Sequence, residues 1–575
     1  MSIIKNLPVR RAALRAVALF TWALCASTLC ASTLCVIFSA RVASADSSAQ
    51  LPAFGEVVDV KVINLEVAVT RQGKRVSGLQ PKDFRLLVDG RDVPIEFFSE
   101  VSDGRVVRHS EGAAGGRGDV APALPAGDRV GTRYLLFIDD EFSLPSRRNR
   151  VLAKLSDQLT LLSPEDQVAI VAFDGRQVEM LSSWTRSLSR LESALETAQE
   201  RRAYGLQRRS ERWQVSTWGR PGSRTPRGSS FSSTGFLGLG RALDGAAPSE
   251  LRYADPGNHV ARVVRAAASA LRGFARPPGR KVMLLLAGDW PVPASWSSVD
   301  GLRRIEDRRQ LFAPLVDTAN RLGYTLYPID VQGTLSFTAG NAEFGRRRRG
   351  LNRAFVTQQA RELGRDALHH LADQTGGKAW FAGTANAALE NVIADTRSYY
   401  WLGFTPRWQQ DDAGYRVEVK VLTKGVKARS RRSFQDLSRQ NEVSMWVESA
   451  HLFDAPLGDN APLAVELGTP GQGGLGKVLL PVRLDIPLDR VTVLPEGGRY
   501  VTSLELRIAA TDDDGNSADL PVVPVRIELA EPPSPGAKSQ FETVLKLRRK
   551  SHRLLISLHD PASGGFLSRR LVFDP

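Results

Sequence analysis

The sequence predicts an α/β fold: a doubly wound, mostly parallel sheet, flanked by an N-terminal β module and a C-terminal β-sandwich-like region. Three observations lead there. Between Arg133 and Tyr400, short apolar runs alternate with stretches of helical spacing. The run Lys281–Leu286 is the most apolar of all, as strands buried on both faces are. On either side of this region, apolar residues recur at every second position instead, which is strand periodicity. At 575 residues the chain is too long for one core. The reading divides it into a signal segment (1–45), the N-terminal β module (56–103), the α/β domain (131–405), a β extension (406–436) and a C-terminal β-rich domain (440–575).

The elements follow in order. Val58–Thr70 alternates apolar and polar residues, and Arg71–Lys74 supplies a turn. Asp89-Gly90 reads as a hairpin turn between two further strands. A Gly/Ala/Pro-rich linker spans 112–127. Tyr134–Ile138 is a short apolar strand ending in Asp139-Asp140, and Ser146–Leu162 has helical spacing through Val151, Leu152, Leu155 and Leu159. Strands are expected at Gln167–Phe173, Glu179–Trp184, Lys281–Leu286, Tyr324–Ile329 and Gly377–Phe381. Helices are expected at Leu188–Ala198, His259–Phe274, Arg304–Leu322, Ala354–Thr375 and Ala387–Tyr400. Beyond Tyr400 the helical periodicity stops, and short strands such as Tyr415–Leu422, Lys477–Leu484, Tyr500–Ala509, Val522–Leu529 and Arg553–Leu558 suggest a small sandwich.

The N-terminus points to export. Lys5, Arg10, Arg11 and Arg15 precede a charge-free stretch from Ala16 to Ala40, and Ala43-Ser44-Ala45 closes it with an A-x-A cleavage pattern. The expected location is therefore periplasmic or extracellular. Uncleaved, the same stretch would anchor the chain, and only then is a membrane a partner. All three cysteines, Cys25, Cys30 and Cys35, lie inside this segment. The mature chain thus has no disulfide, thiolate metal site or cysteine nucleophile.

The net charge of +15 falls to about +10 on cleavage. Residues 201–228 hold eight arginines against one glutamate, and Arg346–Arg349 is a run of four. Such an insertion suits an anionic envelope component, lipid or polysaccharide, or is simply a solvated loop. An exported chain rarely meets nucleic acid, so none is expected as a partner.

Several stretches in order carry a family resemblance: VTRQGKRVSGLQPKDFRLLVDGRDVPIEFFSEV, YLLFIDDEFS, LSPEDQVAIVAFD, KVMLLLAGD and ADQTGGKAWFAGTANAALENVIADTRSYYWLGFTP. Together they resemble the VWFA-related family of secreted, acidobacterial-type bacterial proteins, whose central unit is a von Willebrand factor A-like (Rossmann-like) domain. The likeness spans roughly residues 56–435. It implies a ligand site above the C-terminal ends of the parallel strands, where many such domains hold Mg²⁺ through an aspartate, two hydroxyls, a threonine and a second aspartate.

Carried over residue by residue, the resemblance gives Asp139, Ser143 and Asp289 as metal ligands. The expected D-x-S-x-S motif here reads Asp139-Asp140-Glu141-Phe142-Ser143, so Glu141 replaces a serine. Asp289 stands one position later than the pattern places it, and Thr234 is the only stand-in for the threonine. The site is therefore expected to be degenerate. A second reading makes Asp139, Asp140 and Glu141 N-terminal caps of the next helix.

Enzymatic signals are weak. The seven histidines form no H-E-x-x-H or H-x-x-x-H spacing, and neither G-x-S-x-G nor the full Walker-type G-x-x-x-x-G-K-[ST] motif occurs. Gly235–Gly240 reads as a flexible loop, and Tyr399-Tyr400-Trp401 as core packing. The expected function is a non-enzymatic binding or adhesion-type protein that engages a protein or cell-surface ligand. The alternative is a metal-dependent hydrolase built on Asp139, Asp140, Glu141 and Asp289.

Overall fold

The computed structural model describes residues 62–111, 126–208, 256–275, 279–288, 290, 301–331, 364–458, 460–474, 476–517 and 520–575. The signal segment, most of the arginine-rich insertion, Arg346–Arg349, Thr234, the 235–240 glycines and Asp289 lie outside them.

The α/β expectation is corrected: the described chain is mostly β. It contains five sheets, and parallel pairing between long strands is confined to one of them. The alternation between 133 and 400 accounts for one five-stranded sheet of the five. The strands on either side pair antiparallel among themselves and make separate sheets.

The first of these lie at the N-terminus. Ile63–Arg71 pairs antiparallel with Tyr399–Phe404, which in turn pairs with Phe97–Ser102. Gly414–Val421 pairs with Phe84–Val88 in a second sheet. Leu65, Val67, Phe98, Tyr400 and Leu402 from the first sheet meet Phe84, Leu86, Val417 and Phe434 from the second in one core. Residues more than 300 apart in sequence thus share one sandwich, and the expected divisions at 103, 405 and 406 run through it. Asp89 (φ 48°) and Gly90 (φ 79°) form the expected hairpin, with Val88 opposite Arg91.

The mixed sheet has five strands. Tyr324–Asp330, Arg280–Ala287, Thr132–Asp139 and Gln167–Phe173 run parallel in that spatial order, and Val178–Thr185 closes one edge antiparallel. Its strands are buried on both faces: Leu285 and Phe137 enter one core, Leu284 and Ile138 the other. Pro145–Asp157, Leu188–Glu200 and Ala388–Thr396 cover the second core. Pro256–Gly273, Gly301–Leu322 and Arg439–Phe453 cover the first. The expected strand at Gly377–Phe381 reduces to a single bridge between Trp380 and Ile329.

Arg439–Phe453 is a second correction, since helices were expected to end at Tyr400. Ser438 caps it by accepting from the Asn441 amide at 3.3 Å, and Val443, Trp446, Val447 and Ala450 form its buried stripe. Beyond it, two sheets share a core. In Lys477–Pro487 every second residue from Val478 to Ile486 points inward, against Leu504, Leu506, Leu554 and Ile556 of the facing sheet. Burying each such side chain stabilises the fold by about 1.5–3 kcal/mol.

One buried carboxylate ties the N-terminal sandwich to the mixed sheet. Asp395 takes Arg75 Nη2 at 2.9 Å, Lys378 Nζ at 2.6 Å, the Tyr327 hydroxyl at 2.7 Å and the Arg429 guanidinium. Arg75 and Arg429 come from the sandwich, and Tyr327 from the sheet.

Candidate functional site: the buried acidic loop

The central strand Thr132–Asp139 has parallel neighbours on both sides, so its last residue emerges where three strand C-termini meet. Asp139, Asp140, Glu141 and Ser143 follow there, and all four are fully buried. Burying three consecutive acids is costly unless each is compensated. The structure compensates each in a different way.

Asp139 is satisfied by neutral donors. Its Oδ1 accepts from the amides of Glu141 (3.0 Å) and Phe142 (3.1 Å). Its Oδ2 accepts from the Gly288 amide (3.3 Å) and the Trp290 indole (2.8 Å). Burial first, then the nearby charge of Glu141, pushes its carboxyl up to about 7 against those hydrogen bonds. Asp140 is satisfied by guanidinium groups: Arg201 Nε lies 2.8 Å away and the fully buried Arg148 pairs with its other oxygen. Arg148 also donates to the carbonyls of Gln199 (3.1 Å) and Arg201 (2.8 Å).

Glu141 faces the helix Pro256–Gly273. His259 Nδ1 is 2.7 Å from its Oε1, Arg262 Nη2 2.8 Å and Arg208 Nε 3.4 Å. Burial raises its pKa, but His259 and Arg262 together outweigh it and hold the carboxyl below the usual range. Its Oε2 and the Ser143 hydroxyl are buried without a hydrogen-bond partner. Close backbone approach seals the loop: a Cβ at Gly288 would sit 2.3 Å from the carbonyl carbon of Phe142.

The expected metal ligands are therefore placed as follows. Asp139 and Ser143 share one buried loop, while Asp289 and Thr234 lie outside the described residues. A carboxylate offers about four acceptor positions, and on Asp139 four N–H groups occupy them. Glu141, standing where a serine was expected, carries guanidinium and imidazole partners in place of a metal ion. Among the described residues, Asp139 therefore has no acceptor position left for a divalent metal. Among the described residues, no group of three or more His, Cys, Asp or Glu side chains is arranged to hold one.

The capping alternative is also corrected. The next helix starts at Pro145 after Leu144, with no side-chain cap. Asp139 instead caps amides of its own loop.

Sequence reasoning missed the counter-charges Arg148, Arg201, His259 and Arg262. The readable signal was the i, i+3 pair His259/Arg262 on one helix face, which suits a single acidic partner. His369 and His370 pack against Phe381 and Phe312, with ring centroids 4.8 and 6.3 Å apart. No described helix is long and apolar enough to cross a membrane.

No family model and no curated protein matches the chain. Among solved structures, the TFIIH p34 N-terminal domain is 13% identical over 46% of this chain and 97% of that one, with a TM-score of 0.19. The pilus adhesin SpaC from Lactobacillus rhamnosus GG is 9% identical over 77% and 56%, with a TM-score of 0.22. A Bacteroides uniformis β-glucuronidase is 13% identical over 20% of this chain, with a TM-score of 0.15, and the chain spans only 13% of its length. Likenesses this low carry no argument.

Proposed function

We propose that the chain is an exported, non-enzymatic binding protein that engages a protein or cell-surface partner, and that its acidic loop is structural. The observation that supports this is the pairing of the loop: Asp139 and Asp140 have both carboxylate oxygens on internal donors, Glu141 has Oε1 on Arg262 and His259, and all three are buried. A hydrolase built on these acids would need them open to metal and water. The partner reads the surface around the loop and not the loop itself.

The test uses the purified chain and two readouts. One is saturable binding to envelope fragments; the other is hydrolysis of ester and phosphoester reporters with and without Mn²⁺. Saturable binding without turnover is the expected result. Mn²⁺-dependent turnover that disappears in Asp139→Ala would replace this reading with the hydrolase.

A further inference from the structure

A cavity of about 240 Å³ lies beside the acidic loop, between the mixed sheet, the helix Arg439–Phe453 and the turn at 511–517 of the C-terminal sandwich. It is smaller than the roughly 300–1,000 Å³ pockets that take drug-sized ligands. Its polar wall is cationic. Arg176, Arg262 and Arg265 line it against one carboxylate, Glu448.

These three guanidinium groups are differently engaged. Arg262 is committed to Glu141 at 2.8 Å and to Asn516 Oδ1 at 3.0 Å. Arg265 donates to the Ser517 hydroxyl at 3.2 Å and stands 3.6 Å from Glu448, a long ion pair. The Arg176 side chain has no ion-pair partner among the described residues. Its segment is held in place by backbone: Arg553 donates to the Arg176 carbonyl at 3.3 Å, and a Cβ at Gly515 would meet the Gly175 carbonyl oxygen at 2.4 Å.

The rest of the wall adds no negative charge. His451 donates to or accepts from Thr511 at 2.9 Å, and burial together with Arg553 and Arg570 pushes its imidazole down to about 3, so it is neutral. Phe173 and Leu452 supply an apolar side. Planar guanidinium forks match carboxylate geometry, and an apolar wall favours a ligand with a hydrocarbon body over a fully hydrated inorganic anion.

We propose that this cavity binds a small organic carboxylate, its charged head on Arg176 and Arg265 and its apolar body against Phe173 and Leu452. The site stands whether or not the chain also engages a cell-surface partner.

Calorimetric titration of the full chain with benzoate and hexanoate, against inorganic sulfate and phosphate at matched ionic strength, tests it. Saturable one-site binding of the carboxylates is expected, weakened at least tenfold by Arg176→Gln and by Arg265→Gln. Both side chains are at least one-third exposed, so both variants should fold, and an unchanged thermal midpoint verifies that. Absence of saturable carboxylate binding overturns the proposal, as does affinity that neither variant changes. Sulfate or phosphate binding as tightly as benzoate overturns the carboxylate assignment.

Discussion

Asp139 and Asp395 are both buried aspartates in the interior of one molecule, and they are handled in opposite ways. Asp395 collects Arg75, Lys378 and Arg429. Burial pushes its carboxyl up, but those three cations outweigh it and hold the group far below the usual range. Asp139 collects only amides and an indole, and burial wins. The first aspartate acts as an ionic rivet between the N-terminal sandwich and the mixed sheet. The second organises a loop whose neighbours, Asp140 and Glu141, carry the ion pairs. Charge compensation therefore sits on Asp395 itself in one region, and one residue away in the other.

Breaking the rivet should have the largest effect. Asp395→Ala leaves three cations facing one another, and removing one partner from a buried ionic cluster costs about 3–5 kcal/mol. Urea unfolding at neutral pH checks it. The sign with pH is also fixed. A lowered folded pKa gives stability that is complete above the unfolded value and is lost on acidification below it. Wild-type stability should therefore decline below about pH 4 more steeply than that of the variant.

Next in size is Glu141→Ser, which restores the serine of the resemblance and removes the acceptor of Arg262 and His259. A loss of about 3 kcal/mol is expected from the orphaned guanidinium. No metal affinity is gained, since the oxygens of Asp139 remain occupied.

The pH response of Asp139 follows. Its folded pKa lies above the unfolded one, so its contribution is complete below about pH 4 and is lost as pH rises toward 7. That amounts to about 4 kcal/mol at most. Comparing urea midpoints at pH 5 and 8 for the wild type and Asp139→Asn isolates it: the variant should show the flatter dependence. Equal slopes would mean that the four N–H groups offset burial and keep the folded pKa of Asp139 from rising into that pH range.

The smallest effect is expected at the exposed Arg85–Asp92 pair, more than half exposed on both sides. Asp92→Ala should leave the thermal midpoint unchanged, because solvent screens such pairs.

What could be read in the sequence depended on how local the signal was. The strands at 134–138, 167–173, 281–286 and 324–329 declare themselves by apolar runs, and all are strands. The Asp89-Gly90 hairpin is legible because only certain residues adopt positive φ. The overall class was misread because Ile63–Arg71 finds its partner at Tyr399–Phe404, a pairing that no local pattern encodes. Arg439–Phe453 was overlooked although Ser438 and the Val443/Trp446/Val447/Ala450 stripe mark it. At the site, Asp139 closes a strand and Ser143 follows in the turn before the next helix. Their chemistry was not legible, because it depends on Trp290, Arg201 and Arg262, which reach the loop only through the fold.

The central claim is that the acidic loop is closed by its own partners. Calorimetric titration of Mg²⁺ and Mn²⁺ into the wild type and Asp139→Ala tests it most directly. The account predicts flat, indistinguishable titrations for the two proteins. Saturable one-to-one binding in the wild type that vanishes in Asp139→Ala would contradict it.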